Sequence, residues 1–276
     1  MRYLIINADD FGISAGVNEG IVDAWKAGVI TSTSIMPTGL AYDDAIAKAK
    51  EIPGLPIGVH FSVSSGRCCA SPTNVASLTD ATGAFLIREG ESFREQMALA
   101  SRISAQELEV ELRAQFEAIL SAGFRPQHVD CHHAYLYAVP ELYSVVLRLA
   151  AEWRVVARFP FGDNVENAIG EMAAAYSVKP EAILLLSNVA RNAKKKFGTS
   201  TPDRYFQIHT RWDKEEKRIY LQRLIENLPE GVSELCFHPG KGTQEREDDL
   251  EIVMATEFAS KVEECGVVIH NPLVEV

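Results

Sequence analysis

Four short stretches of this sequence end in side chains that titrate or bind metals: Asn7-Ala8-Asp9-Asp10, Gly58-Val59-His60, His128-Val129-Asp130-Cys131-His132-His133, and Phe237-His238-Pro239-Gly240. Each has a structural reading beside a chemical one. The pair Asp9-Asp10, ahead of Phe-Gly, suits a turn or a helix N-cap. At the end of a strand the same two carboxylates would diverge, one free to bind a metal while its neighbour faces an attacking water. His60, set among Val59 and Phe61, reads equally as a core histidine bonded to a carbonyl. The third stretch is harder to explain by packing, because three imidazoles and a carboxylate within six residues burden a strand that only has to be buried. If that strand alternates, His128, Asp130 and His132 share a face. Asp130 could then orient a metal-bound histidine from behind, and His133 turns elsewhere or begins the loop.

One Asp with two His leaves coordination positions open, whereas a structural zinc site is closed by four protein ligands. That donor set suits a catalytic ion. Zinc lowers the pKa of a bound water from about 15.7 to about 7 and polarises a carbonyl. Imidazole ligands favour zinc or another transition ion over magnesium. The expectation is one divalent metal ion, Zn2+ or Mg2+. Arg158 closes the run Val155-Val156-Ala157 and could bind a sugar hydroxyl or carboxylate, or make an ordinary salt bridge. Asn18 and Glu19, at the start of the first helix, are polar candidates that capping explains equally well, and His209 and His270 read as structural. Trp25 and Trp153 read as packing residues, and Trp212 could stack on a sugar face.

Such residues must be brought together by elements. Short apolar runs alternate with segments of helical period, the pattern of βα units around a parallel sheet. Strands are expected over Arg2 to Asn7, Ser32 to Pro37, Ile57 to Val63, His128 to Cys131, Val155 to Phe159, Glu234 to His238 and Val267 to His270. Helices are expected over Asn18 to Lys26, Tyr42 to Lys50, Pro140 to Trp153, Lys214 to Leu228 and Leu250 to Cys265. Ser104 and Glu107 have capping-box spacing ahead of Leu108, Leu112, Phe116 and Leu120. Ser64 to Ile103 lacks a clear period and reads as an insertion above the sheet. Ala190 to Asp203 also reads as irregular, with Lys194-Lys195-Lys196 a solvated face. In a βα barrel the carboxyl ends of the strands meet at one mouth, so ligands distant in sequence can converge. The expected fold is therefore an α/β, irregular (β/α) TIM-like barrel, one domain over residues 1–276.

Composition agrees with that. The chain has 276 residues, 47% hydrophobic and 24% charged, enough to bury a core without staples. A net charge of −11 opposes nucleic acid and anionic membrane surfaces and favours a small neutral substrate. Five cysteines without a Cys-x-x-Cys pair argue against a disulfide framework and a thiolate zinc cluster, which points to a reducing, cytoplasmic setting. No apolar run approaches the roughly 20 residues of a membrane span.

The stretch Ile5-Ile6-Asn7-Ala8-Asp9-Asp10-Phe11-Gly12-Ile13-Ser14, followed by Gly16-Val17-Asn18 and Gly20-Ile21, resembles the opening of YdjC-like carbohydrate deacetylases, including chitooligosaccharide deacetylases. Val29-Ile30-Thr31-Ser32-Thr33-Ser34, Gly58-Val59-His60-Phe61, Pro126 to His133 and His238-Pro239-Gly240 follow in family order. The resemblance implies removal of acetyl groups from N-acetylated sugars, a divalent metal on Asp10, His60 and His132, and a homodimer. By analogy with polysaccharide deacetylases, it implies Asp9 as general base and His238 as general acid. The chain departs from the family pattern at Ala134 and Leu136, where histidines are common, and at Cys131, where serine is common. Those positions bear on substrate contacts at the mouth and leave the metal triad untouched. The competing functions are a metal-dependent barrel lyase or isomerase acting on a sugar, a silent sugar-binding or regulatory protein, and a glycosidase. The last needs two carboxylates flanking a glycosidic bond.

Overall fold

The computed structural model describes residues 1–88, 92–162, 180–209 and 211–274. Eight parallel strands form its sheet: β1 (Arg2–Phe11), β2 (Ser32–Ile35), β3 (Ile57–Phe61), β4 (His128–Cys131), β5 (Val156–Ala157), β6 (Arg204–Gln207), β7 (Gly231–Phe237) and β8 (Val267–Ile269). They run in the order β5-β4-β3-β2-β1-β7-β6. β8 joins β1 on its first residues, Arg2 to Leu4, and β2 pairs with it further along, from Asn7 to Phe11. β5 and β6 are the two ends of this path, so the sheet curls into an irregular, open (β/α) barrel.

Parallel strands with helices outside and side chains inside are buried on both faces, which is why every residue of β2, β3 and β4 is buried, including the hydroxyl-bearing Ser32, Thr33 and Ser34 of β2. The surrounding helices are α1 (Ala15–Lys26), α2 (Tyr42–Glu51), α3 (Phe93–Ala100), α4 (Ala105–Ser121), α5 (Tyr135–Ala138), α6 (Pro140–Trp153), α7 (Pro180–Phe197), α8 (Lys214–Glu226), α9 (Gln244–Met254) and α10 (Thr256–Glu264). α4 shows how they form. Ser104 caps it by accepting the Glu107 N–H at 3.4 Å, and Leu108, Leu112, Phe116 and Ile119 turn one face to the core. The second half of the expected capping box is missing. Glu107 instead accepts the Ser77 N–H at 2.6 Å and so pins the insertion to α4.

The structure corrects several other expectations. Ala190 to Asp203 is helical as far as Phe197, because Ile183, Ala190 and Ala193 supply a buried stripe that the lysines disguise. Lys194, Lys195 and Lys196 form the last turn of α7, where cations meet the negative end of the helix dipole. The expected helix over Leu250 to Cys265 is two helices, parted at Ala255 by an extended backbone (ψ 140°). β6 was not expected, since its partly buried residues show no clean alternation. The insertion from Ser64 contains the single-turn helix Pro72–Asn74 and α3, and it buries Val75, Leu78, Phe85 and Ile87 in the common core. Among the described residues, no helix is long and apolar enough to cross a membrane.

Candidate metal centre

Asp9 and Asp10 sit where the ladder between β1 and β2 slips. Asn7 and Ala8 pair with Ser32 and Thr33, but Phe11 pairs with Ile35, so β1 has one residue more than its partner. This is a β-bulge, a device that re-aims side chains next to active sites. Asp10 takes the left-handed conformation within it (φ 71°). Adjacent strand residues are expected to diverge; here the bulge turns both carboxylates toward one imidazole. His60 Nε2 lies 3.2 Å from Asp10 Oδ1, and His60 Nδ1 lies 4.0 Å from Asp9 Oδ2.

Asp10, His60 and His132 come together from β1, β3 and the residue after β4. His132 Nδ1 is 2.9 Å from Asp10 Oδ1 and 3.2 Å from His60 Nε2. Three donor atoms 2.9 to 3.2 Å apart have the spacing of ligands that share one ion at bond lengths of about 2.0 to 2.2 Å. Asp10 Oδ1 is buried and receives no well-directed hydrogen bond, which is what a carboxylate oxygen reserved for a cation looks like. The residues therefore fit a divalent metal.

Behind the triad, Asp130 Oδ1 accepts the His60 Nδ1 proton at 2.7 Å, which leaves Nε2 to face Asp10 and His132. Asp130 Oδ2 is held by Ser34 Oγ at 2.9 Å and Asn7 Nδ2 at 3.3 Å. Arg158 reaches the same ground, 3.0 Å from Asp130 Oδ2, gripping Asp9 through Nη1 at 2.6 Å and Nη2 at 2.7 Å, and Glu234 through Nε at 2.8 Å. Only 4% of Arg158 is exposed, so its guanidinium is committed to carboxylates rather than to the solvent-facing mouth. Of its two expected readings, the ion pair is the one the geometry supports.

These charges set the protonation states. Burial opposes ionisation of Asp9, but Arg158, with smaller help from His60 and His238, outweighs it and holds the carboxyl below the usual range. Asp10 is likewise held low against burial by His132, His60 and Arg246. For His60, burial is outweighed by Asp130 and Asp9, which raise the imidazole to about 10 in the metal-free protein. Glu234 goes the other way, with burial pushing it up to about 7 despite Arg158.

His238 follows β7. A ring nitrogen, an Asp9 oxygen and Cys236 Sγ lie within 4.8 Å of one another. Arg158 already neutralises Asp9 there, so this second cluster is a poor cation site. Burial pushes His238 below the ordinary histidine value, more than Asp10 and Asp9 raise it. Its backbone N–H donates to Asp249 Oδ2 at 3.0 Å, and Asp249 is paired at 2.6 Å with Lys217, a fully buried lysine. His128 is buried and lies against Gly58 on the neighbouring strand. His133 (φ 60°) begins the loop; its Nδ1 lies 3.0 Å from Ser64 Oγ in the insertion.

The sequence did not single out Asn7, Ser34, Glu234, Lys217, Arg246 or Asp249. A polar residue inside a largely apolar strand was the available signal for Asn7 and Glu234; Ser34 sits among other hydroxyl residues and offered none. The others lie on the charge-rich helices α8 and α9 and look like solvated charges. Asn18 is not a cap: Ser14 caps α1, and Asn18 accepts the Gly12 N–H at 2.7 Å while donating to Asp44 at 2.8 Å. Trp153 stacks on Phe116 with centroids 3.9 Å apart, and Trp212 packs on Tyr220 at 4.9 Å.

An open all-parallel barrel with a carboxylate and imidazole centre at the carboxyl ends of its strands defines the class. Residues 3–264 match the family described as YdjC-like protein, and the chain belongs to that family. A carbohydrate deacetylase of Brevibacillus brevis is 42% identical over 160 residues, 57% of this chain and 59% of that protein. A chitooligosaccharide deacetylase of Escherichia fergusonii is 36% identical over 160 residues, again 57% and 59% of the two. The match thus spans about three fifths of the length of these relatives. Among solved structures, an Enterococcus faecalis V583 protein provisionally named for cellobiose-phosphate cleavage superposes with a TM-score of 0.77 at 26% identity, covering 98% of this chain and 97% of that one. A lactam utilization protein of Thermus thermophilus shares the fold alone, with a TM-score of 0.51, 17% identity and coverage of 98% and 99%.

Proposed function

We propose that this protein is a metal-dependent carbohydrate N-deacetylase that hydrolyses the acetamide of an N-acetylated sugar, with one divalent ion held by Asp10, His60 and His132. The observation that carries this reading is the convergence of three ligand atoms within 3.2 Å of one another, with Asp9 and His238 beside them. The names of the curated relatives supply the substrate class. Two imidazoles favour Zn2+ over Mg2+.

When bound, the ion activates a water and polarises the acetamide carbonyl. Asp130 fixes the His60 ring so that Nε2 serves the site. Asp9, kept ionised by Arg158, is available at all ordinary pH values to take the water's proton on a carboxylate oxygen. His238 in its imidazolium form gives a proton to the departing sugar nitrogen, and Asp249 holds the backbone that carries it. A glycosidase is disfavoured because Asp10 is taken up by His60, His132 and Arg246, which leaves Asp9 without a second carboxylate free to flank a glycosidic bond. A silent sugar binder has no use for a base, a ligand triad and an acid in one place.

The test combines metal analysis of the purified protein with acetate release from a panel of N-acetylated sugars. His132→Ala is expected to lose the metal. Asp9→Asn is expected to keep it and lose turnover by about 10² to 10⁴-fold. Full activity in both variants overturns the assignment, and release of free sugars without acetate supports a glycosidase instead.

A further inference from the structure

The two carboxylate oxygens of Asp10 face different partners. Oδ1 lies 3.2 Å from His60 Nε2 and 2.9 Å from His132 Nδ1, while Oδ2 accepts a hydrogen bond from Arg246 Nη2 at 2.7 Å. The geometry points to Arg246 as a positioning residue that presents Asp10 to the metal through one oxygen and ties that ligand to the loop carrying His238. The inference rests on the proposed metal triad.

Two features support it. An Asp side chain has few torsions but can still turn about its last bond, and a donor on one oxygen fixes which oxygen meets the imidazoles. Asp10 needs that restraint, because it sits in a bulge with a left-handed backbone (φ 71°). Arg246 is itself well anchored. Its carbonyl accepts the Gly240 N–H at 3.2 Å, and its chain crosses the bare face of Gly240, where a Cβ would lie 3.1 Å from Cδ. Gly240 in turn lies so close to α1 that a Cβ on Gly20 would come within 2.6 Å of it. One turn along α9, Asp249 takes the His238 N–H. A single helix therefore holds both the metal ligand on β1 and the residue after β7.

A guanidinium beside a divalent ion also repels it. The two effects have opposite signs, and this makes the inference testable. If the charge dominates, removing Arg246 strengthens metal binding; if its hold on Asp10 dominates, removal weakens it.

The experiment is calorimetric titration of the full, metal-stripped chain with Zn2+, for wild type, Arg246→Met, Arg246→Lys and His132→Ala, alongside thermal melts of each metal-free protein. Arg246→Met should bind Zn2+ about 10 to 100-fold more weakly, the range for loss of a group that holds a metal ligand. Arg246→Lys should recover to within a few-fold, and wild type and variants alike, free of metal, should each melt in one transition. Zn2+ binding by Arg246→Met as tight as wild type, or tighter, overturns the inference. If that variant fails to fold, Arg246→Gln takes its place with the same expectations. Equal binding by wild type and His132→Ala overturns the triad itself, a result distinct from failure of Arg246 alone.

Discussion

At the scale of single residues, Arg158 settles how three buried carboxylates share one positive charge. It faces Asp9, Asp130 and Glu234 within 3.0 Å, so its loss leaves three buried carboxylates without their cation. Arg158→Met is expected to destabilise the fold by about 3 to 5 kcal/mol, read by equilibrium denaturation, because breaking a buried pair strands its partners. His238 gives a prediction of opposite character. Burial lowers its pKa, so its imidazolium form is lost as pH rises through a value below the ordinary histidine one. With metal saturating, kcat/KM should fall on the alkaline side by about tenfold per pH unit, and Asp9 should add no acid limb, since Arg158 keeps it ionised. A residual activity of His238→Ala that keeps the same alkaline limb would remove His238 from the proton-donor role.

At the scale of elements, the bulge in β1 and the N-terminal half of α9 do most to form the site. The bulge brings two successive carboxylates to one imidazole, and α9 sends Arg246 to Asp10 and Asp249 to the backbone of His238. β3 and β4 are matched as tightly. Gly58 pairs with His128, and a Cβ on Gly58 would collide with the His128 ring. Gly58→Ala should therefore overpack the barrel and cost about 1 to 3 kcal/mol in stability by chemical denaturation. An unchanged midpoint would show that His128 can swing away without loss.

At the scale of the molecule, one apolar cluster runs from Leu4 to Val267 and takes in the insertion residues Val75, Leu78, Phe85 and Ile87. We propose that the chain is a single domain and expect one cooperative thermal transition. Zn2+ at about 100 times its dissociation constant should stabilise the fold by about 2.7 kcal/mol, or about 5 °C for a chain of this size. Differential scanning calorimetry with and without a chelator measures that shift, and His132→Ala should abolish it. Two separated transitions would place the insertion or the last helices in a unit of their own.

The sequence alone determined the βα rhythm, the parallel barrel and the strand-end positions of Asp9, Asp10, His60, His132 and His238. These follow from local patterns: apolar runs of strand length, polar residues at their ends, and helical periods between. It did not determine how those residues meet. A one-residue slip in a ladder depends on the partner strand, so the turning of both carboxylates toward His60 was invisible in Asp9-Asp10 itself. α7 and β6 were hidden for a related reason, since the lysine-rich end of α7 and the mixed residues of β6 conceal burial that only neighbouring elements create. Arg246 reaches an oxygen 236 residues away in the chain, and Arg158 one 149 away. Contacts at such distances leave no periodic trace, so the tertiary structure alone decided which charges are paired and which ligand atoms remain open to a metal.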